Sequence, residues 1–228
     1  MMVGRKGDRL VVLDDVRRHP AIAVYLAKAN EYLGRLGYTE HGQRHVSLVA
    51  NIGRNILERL GYPERFGQLA EIAGYCHDLG NVIGRTHHGA AAAVLVAPIL
   101  VELGMDPEEV AVIIGAIGNH EEEVGQPVSE VGAALILADK SDVHRSRVRN
   151  PDIATFDIHD RVNYAATRSF LNVCGPSRTI TLELTIETSI CSVMEYFEIF
   201  LTRMMMCRRA AQFLDCTFHL EINGGKLL

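Results

Sequence analysis

The sequence has no Cys-x-x-Cys pair, and its five cysteines (Cys76, Cys174, Cys191, Cys207 and Cys216) are an odd number. That indicates neither a zinc knuckle nor a disulfide framework, and the simplest reading is a cytoplasmic protein with reduced thiols. Charge of one sign is also scarce. A net charge of −5 does not suit a surface that coats nucleic acid, although a local basic cluster can still grip a phosphate. Long apolar runs are absent as well. The longest, Gly89 to Gly104, contains Pro98 and Glu102 and falls short of a membrane span, so a buried helix is expected there. The opening stretch MMVGRKGDRLVVLDD has no apolar segment of signal-peptide type. No repeat or low-complexity segment is visible. What remains is ordinary for a globular protein, 48% hydrophobic and 22% charged, with length enough for a real core.

Punctuation divides the first two thirds into helices. His19-Pro20 reads as a cap and first-turn proline, with Gly37 as the stop. A helix is expected from about Glu40 to Leu60, where Val46, Val49, Ile52, Ile56 and Leu60 recur at helical spacing before Gly61. Pro63 opens another that runs to His77-Asp78. Further helices are expected from about Thr86 to Leu103, from Asp106-Pro107 to about Asn119, and from Ser129 to about Val143. Asp106 ahead of Pro107, Glu108 and Glu109 is a strong start signal.

After Asn150-Pro151-Asp152 the pattern changes, which places a domain boundary there, with residues 1–150 helical and 151–228 a small α+β unit. Val162 to Val173 and Ile180 to Glu187 read as a hairpin around Cys174-Gly175-Pro176-Ser177. Ser189 to about Leu214 reads as a helix, with Met204, Met205 and Met206 in a packing role, and Cys216 to Ile222 as a strand. The edges of so small a ββαβ unit point to pairing across a homodimer.

The chemistry-bearing residues are His45, His77-Asp78, His88, His120 and Asp139, all metal-ligand types on or beside helices. A lone histidine on an apolar face is normally a satisfied core residue. His159-Asp160 fits that bland reading, because no succession of ligands follows it and His219 alone comes later. His77-Asp78 differs, since it closes the apolar segment Leu69 to Cys76 and emerges at a buried helix end. An unpaired carboxylate there is costly, and a divalent cation removes the cost. His120 ends the apolar helix from Val110, Asp139 ends the run Ala133 to Ala138, and His45 borders the stripe of its own helix. Such convergence implies a site for one or two divalent ions, and hydrolysis of a phosphate ester.

The order His…His-Asp…His…His…Asp resembles the HD superfamily of metal-dependent phosphohydrolases over roughly residues 40–149. The stretches RHVSLVANIGRNILERLGY, AGYCHDLGNVIG and NHEEEVGQPVSEVGAALILADKSD carry the likeness. HHGAAAAVL resembles the segment that gives two-metal members their extra histidine, which places that role on His88 rather than His87. The resemblance implies a mainly α fold, an HD-type helical bundle followed by the ββαβ unit. It also implies that His45, His77, Asp78 and Asp139 hold one metal, with Asp78 bridging to a second held by His88 and His120. Imidazole mixed with carboxylate suits Mn, Fe, Ni, Co or Zn better than Mg. Gly125-Gln126-Pro127 stands where the cyclic-dinucleotide-cleaving branch has Gly-Tyr-Pro, and Asn119-His120 where that branch has paired histidines. The likeness is nearer to members that split dinucleoside polyphosphates or nucleotides.

Lys140 and Arg147 follow the last ligand closely and are expected to act beside Asp78, donating to phosphate oxygens; Arg44, Arg85 and Arg149 are weaker candidates. Glu121, Glu122 and Glu123 read as a polar loop that could also support a ligand histidine. The expected partner is a small phosphorylated substrate of the nucleotide type, without a membrane or an extended nucleic-acid surface. Two rival readings stand beside hydrolysis. One is a di-iron oxygenase, the other a metal- or nucleotide-binding sensor whose C-terminal unit meets a partner.

Overall fold

Prolines and small polar caps start the helices close to where the apolar spacing places them. The computed structural model describes residues 9–122 and 124–227, so part of the opening stretch lies outside the described residues. The first helices are α1 (Leu13–Arg18), α2 (Pro20–Arg35), α3 (Gln43–Arg59) and α4 (Glu64–Cys76). His19 caps α2, its Nδ1 accepting from the Ala21 N–H, and Pro20 supplies the first helical position. The short α1 has no counterpart in the sequence reading; buried Leu13 and Val16 pack it against α2 and α4.

Helices α5 (His88–Glu102), α6 (Pro107–Gly118) and α7 (Glu130–Lys140) complete the helical part. Asp106 accepts from the Glu108 N–H at the start of α6, and Ser129 from the Gly132 N–H at the start of α7. Residues Val131 to Ala138 of α7 are buried without interruption. That helix is the centre of the packing, with α3, α4 and α6 against it. Helix α5 departs from the expected full burial. It sinks His88 and Gly89 at its start and the stripe Ala92, Val96, Ile99 and Leu100, and leaves Val94 74% exposed. The run is apolar on every face, so composition alone does not reveal that α5 lies at the margin.

Two close approaches fix the ligand-bearing elements. A Cβ on Gly74 would stand 2.9 Å from the Ala50 backbone, so α3 and α4 cross in direct main-chain contact. A Cβ on Gly80 would stand 1.9 Å from the His88 carbonyl oxygen, so only glycine lets the 3-10 turn Leu79–Val82 pass under the start of α5.

The C-terminal part runs α8 (Ile158–Ala165), β1 (Ala166–Cys174), β2 (Thr179–Ile186), α9 (Val193–Phe213), β3 (Thr217–Ile222) and β4 (Gly225–Lys226). Sheet order is β1-β2-β3-β4, with β1 antiparallel to β2, β2 parallel to β3, and β3 antiparallel to β4. The expected first strand began at Val162, whereas Val162 to Ala165 belong to α8. Asp157 caps that helix by accepting from the Asp160 N–H, and the Asn163 amide donates to the His159 carbonyl, so local bonds outweigh the strand preference of Val162. His159 and Asp160 are spent in the first turn of α8. The extra β4 follows a tight turn in which Asn223 and Gly224 have φ of 51° and 79°.

Ser192 and Glu195 form a capping box at the start of α9, which packs on β3 and on α7. Met204 and Met206 are buried there, while Met205 faces outward. The molecule is thus mainly α with a small C-terminal sheet. Among the described residues no helix is long and apolar enough to cross a membrane.

Candidate metal centre

Each expected ligand is delivered by the end of an element. His45 sits in the first turn of α3, His77-Asp78 follow α4, His88 opens α5, His120 follows α6 and Asp139 lies in the last turn of α7. All six meet. Ligand atoms of His45, His77 and Asp78 lie within 4.8 Å of one another, as do those of His77, His120 and Asp139, and those of Asp78, His88 and His120. His45 and His77 are fully buried, and Asp78, His88 and His120 nearly so.

The ring orientations carry the chemical message. His77 Nδ1 donates to the Gly74 carbonyl at 2.8 Å, His88 Nδ1 to the Arg85 carbonyl at 3.0 Å and His120 Nδ1 to the Ile117 carbonyl at 2.6 Å. His45 Nδ1 donates to Asp142 Oδ2 at 2.7 Å. With every Nδ1 committed outward, the Nε2 atoms converge, His45 against His77 at 3.3 Å and His88 against His120 at 3.1 Å. Two acceptor lone pairs at that distance repel unless a proton or a metal cation lies between them.

Asp78 stands across both pairs. Its Oδ2 is 3.5 Å from His45 Nε2 and 3.4 Å from His77 Nε2, while its Oδ1 is 3.4 Å from His88 Nε2. Oδ2 is sealed from solvent and has no hydrogen-bond partner among the described residues, an orphaned buried acceptor. Oδ1 accepts from the Asn81 amide at 2.9 Å. Asp139 Oδ1 is 3.4 Å from His45 Nε2 and 3.6 Å from His77 Nε2. Imidazoles locked in the donor-outward tautomer, two carboxylates and an orphaned oxygen fit one or two divalent cations of the borderline type.

Protonation agrees with that fit. Burial drives His120 and His88 below the usual imidazole range, toward the neutral form that ligates metal. Burial also opposes charge on His77, yet Asp78 and Asp139 outweigh it and hold that ring's pKa up to about 10. Desolvation likewise works against charged Asp78 and Asp139, but His77 beside the first and Lys140 beside the second keep both ionised. The two carboxylates thus favour positive charge at the centre of the cluster.

The cations expected around the ligands divide. Lys140 is buried and pairs with Asp139, with Glu122 3.9 Å away. Arg147 does not reach the cluster. Its guanidinium donates to the carbonyls of Asp142 and Glu40 and lies 3.7 Å from Asp142 Oδ2. Arg44 binds Glu40 and Asp142, and Arg149 binds Asn30. Arg85 is partly exposed and stands at the ligands, 3.5 Å from His88 Nε2 and 4.0 Å from Asp78 Oδ1, with its guanidinium over the Tyr38 ring.

Asp142 and His41 are supporting groups absent from the sequence reading, and Glu121 takes the support role that reading left open for its loop. Asp142 anchors His45 while gathering Arg44 and Arg147. Burial would raise its pKa, but Arg147 and His45 hold it well below the usual carboxylate range. The spacing Asp139-x-x-Asp142 at a helix end was the available signal. His41, buried, sets its ring edge-on to His45 at 5.4 Å between centroids and bonds Thr39 through Nδ1. Glu121 accepts from the Gly89 N–H and lies 3.4 Å from His88 Nδ1, which makes it a support for that ring. Glu122 is taken by Arg203 of α9, and Glu123 lies outside the described residues.

Comparison with known proteins agrees with this arrangement. Residues 42–144 match the family model of the HD domain. The chain is also 27% identical over 172 residues to the uncharacterised protein MJ1020 of Methanocaldococcus jannaschii. That match covers 65% of this chain and 66% of the relative, so it spans just under two thirds of the relative's length.

Proposed function

We propose that the chain, whose residues 42–144 match the model of the HD domain, hydrolyses a phosphate ester of a nucleotide or related small molecule by metal-dependent chemistry. One observation carries the reading, the two opposed Nε2 pairs astride the orphaned Asp78 oxygen. His45, His77, Asp78 and Asp139 would hold one ion, and Asp78, His88 and His120 a second. When bound, such ions supply Lewis acidity and a nucleophilic water at neutral pH.

The chain's own groups do the rest. Asn81 fixes the carboxylate of Asp78, and Asp142 and Glu121 fix the rings of His45 and His88. Arg85 offers a partly exposed guanidinium to phosphate oxygens at the open side. Lys140, buried and paired with Asp139, adds positive charge at the cluster. Arg147 acts at one remove, by holding Asp142. A domain division near residue 150, a homodimer formed along the free edge of β1, and a cytoplasmic location complete the proposal.

The test is chromatographic detection of hydrolysis products, phosphate from nucleoside monophosphates and p-nitrophenyl phosphate and nucleotides from dinucleoside polyphosphates, in Mn-containing buffer. Turnover is expected for the wild type and loss to background for the His77→Ala, Asp78→Ala double variant. Turnover that survives the double change would remove the cluster from the reaction.

A further inference from the structure

A cavity of about 430 Å³ opens on the Asp142 side of His45, between α3, the segment after α7, and strand β1. It shares no lining residue with the six clustered ligands. The volume falls within the range of small-molecule sites, which combine apolar walls with a few placed polar groups. Leu48 and Ile52 of α3 and Leu171 of β1 provide the apolar lining.

Two of the charged groups are cations. Arg44 and Arg59 both line the cavity, and Asp142 is the single acid that does. Asp142 is already paired with Arg44 and His45 and lies 3.7 Å from Arg147, so its charge is balanced within the protein. Arg59 has neither an ion pair nor a side-chain hydrogen bond among the described residues, and the Asn55 amide one turn earlier is equally free. An unpaired guanidinium beside a free amide and an apolar wall is a receptor for an amphipathic anion.

We propose that this cavity binds a small organic anion with an apolar body. Its carboxylate, sulfonate or phosphate head pairs with Arg59, its body lies on Leu48, Ile52 and Leu171, and the Asn55 amide supplies a hydrogen bond. Arg44 and Asp142 belong both to this lining and to the support of His45, so the site adjoins the metal cluster without opening into it.

The probe is 1-anilinonaphthalene-8-sulfonate, an aromatic monoanion of fitting size, titrated by fluorescence against the metal-loaded protein. One saturable site is expected. Arg59→Glu should weaken it by about tenfold or more, and Ile52→Arg, which fills the cavity, should abolish it. Circular dichroism and the thermal midpoint establish that each variant is folded. Arg59 lies on the surface at the end of α3, so its change keeps the test valid even if Ile52→Arg disturbs packing. Chelation with EDTA should leave binding unchanged. Affinity equal to wild type in the folded Arg59→Glu variant, or binding lost on chelation, overturns the proposal.

Discussion

Asp142 shows how much of a metal centre can depend on a residue that never ligates. Among the described residues it is the side chain that accepts a hydrogen bond from a ligand ring at 2.7 Å, and it gathers two guanidiniums at the same time. Asp142→Asn keeps the shape and removes the charge, so Arg147 is left buried without its counter-ion. The expected cost is about 3 kcal/mol in urea unfolding, with metal affinity weaker by about 10–100-fold for the ion at His45. Calorimetric metal titration of the variant checks the second figure. Acidity gives a further test at this scale. The metal-free His77 ring holds its proton up to about pH 10, so a cation must displace that proton to bind. Raised pKa on the metal-free side means metal affinity should climb as pH rises from 6 toward 9 and fall as it drops. Protons should be released on metal addition in weakly buffered solution. An affinity flat across that window would show that His77 binds no metal.

At the scale of elements, the ligands were legible because they occupy helix ends, where an apolar run stops and a polar tip is conspicuous. Their supports were less so. Glu121 stood out only as one of three acids in a loop, Asp142 only by its spacing from Asp139, and Asn81 acquires its role only when separate turns meet. Boundaries failed for a related reason. Val162 carries a strand preference, yet one Asp157 cap turns its segment into helix, whereas the Asn223-Gly224 turn that adds β4 is a signal that the sequence does hold. Gly80 is the element-scale test. Gly80→Ala drives a methyl into the His88 carbonyl, with an expected cost of about 3 kcal/mol and loss of the ion at His88. Gly84→Ala, four residues on with nothing within 4 Å of the added carbon, is the control and should be close to silent. Equal thermal midpoints for the two variants would refute the close approach.

On the scale of the whole molecule, the C-terminal part is tied into the centre by charge. Arg203 of α9 pairs with Glu122 at 2.8 Å, and Glu122 in turn faces Lys140, the neighbour of Asp139. Arg203→Met should therefore loosen the segment around Glu122 while sparing the sheet. Hydrogen exchange is expected to quicken at residues 119–122 and to stay slow in β2 and β3; uniform exchange would mean that α9 and the centre are independent. That α9 packs on α7 could not be read from sequence, since its apolar residues would serve any partner equally.

The anchoring of the rings has one more consequence. Three of the four are pinned by a main-chain carbonyl three positions back, so the contact is made by backbone rather than by a side chain that can be exchanged. His45 is the exception, steered by a replaceable side chain, so it is there that evolution or an engineer can retune one half of the centre while the other half stays as it is.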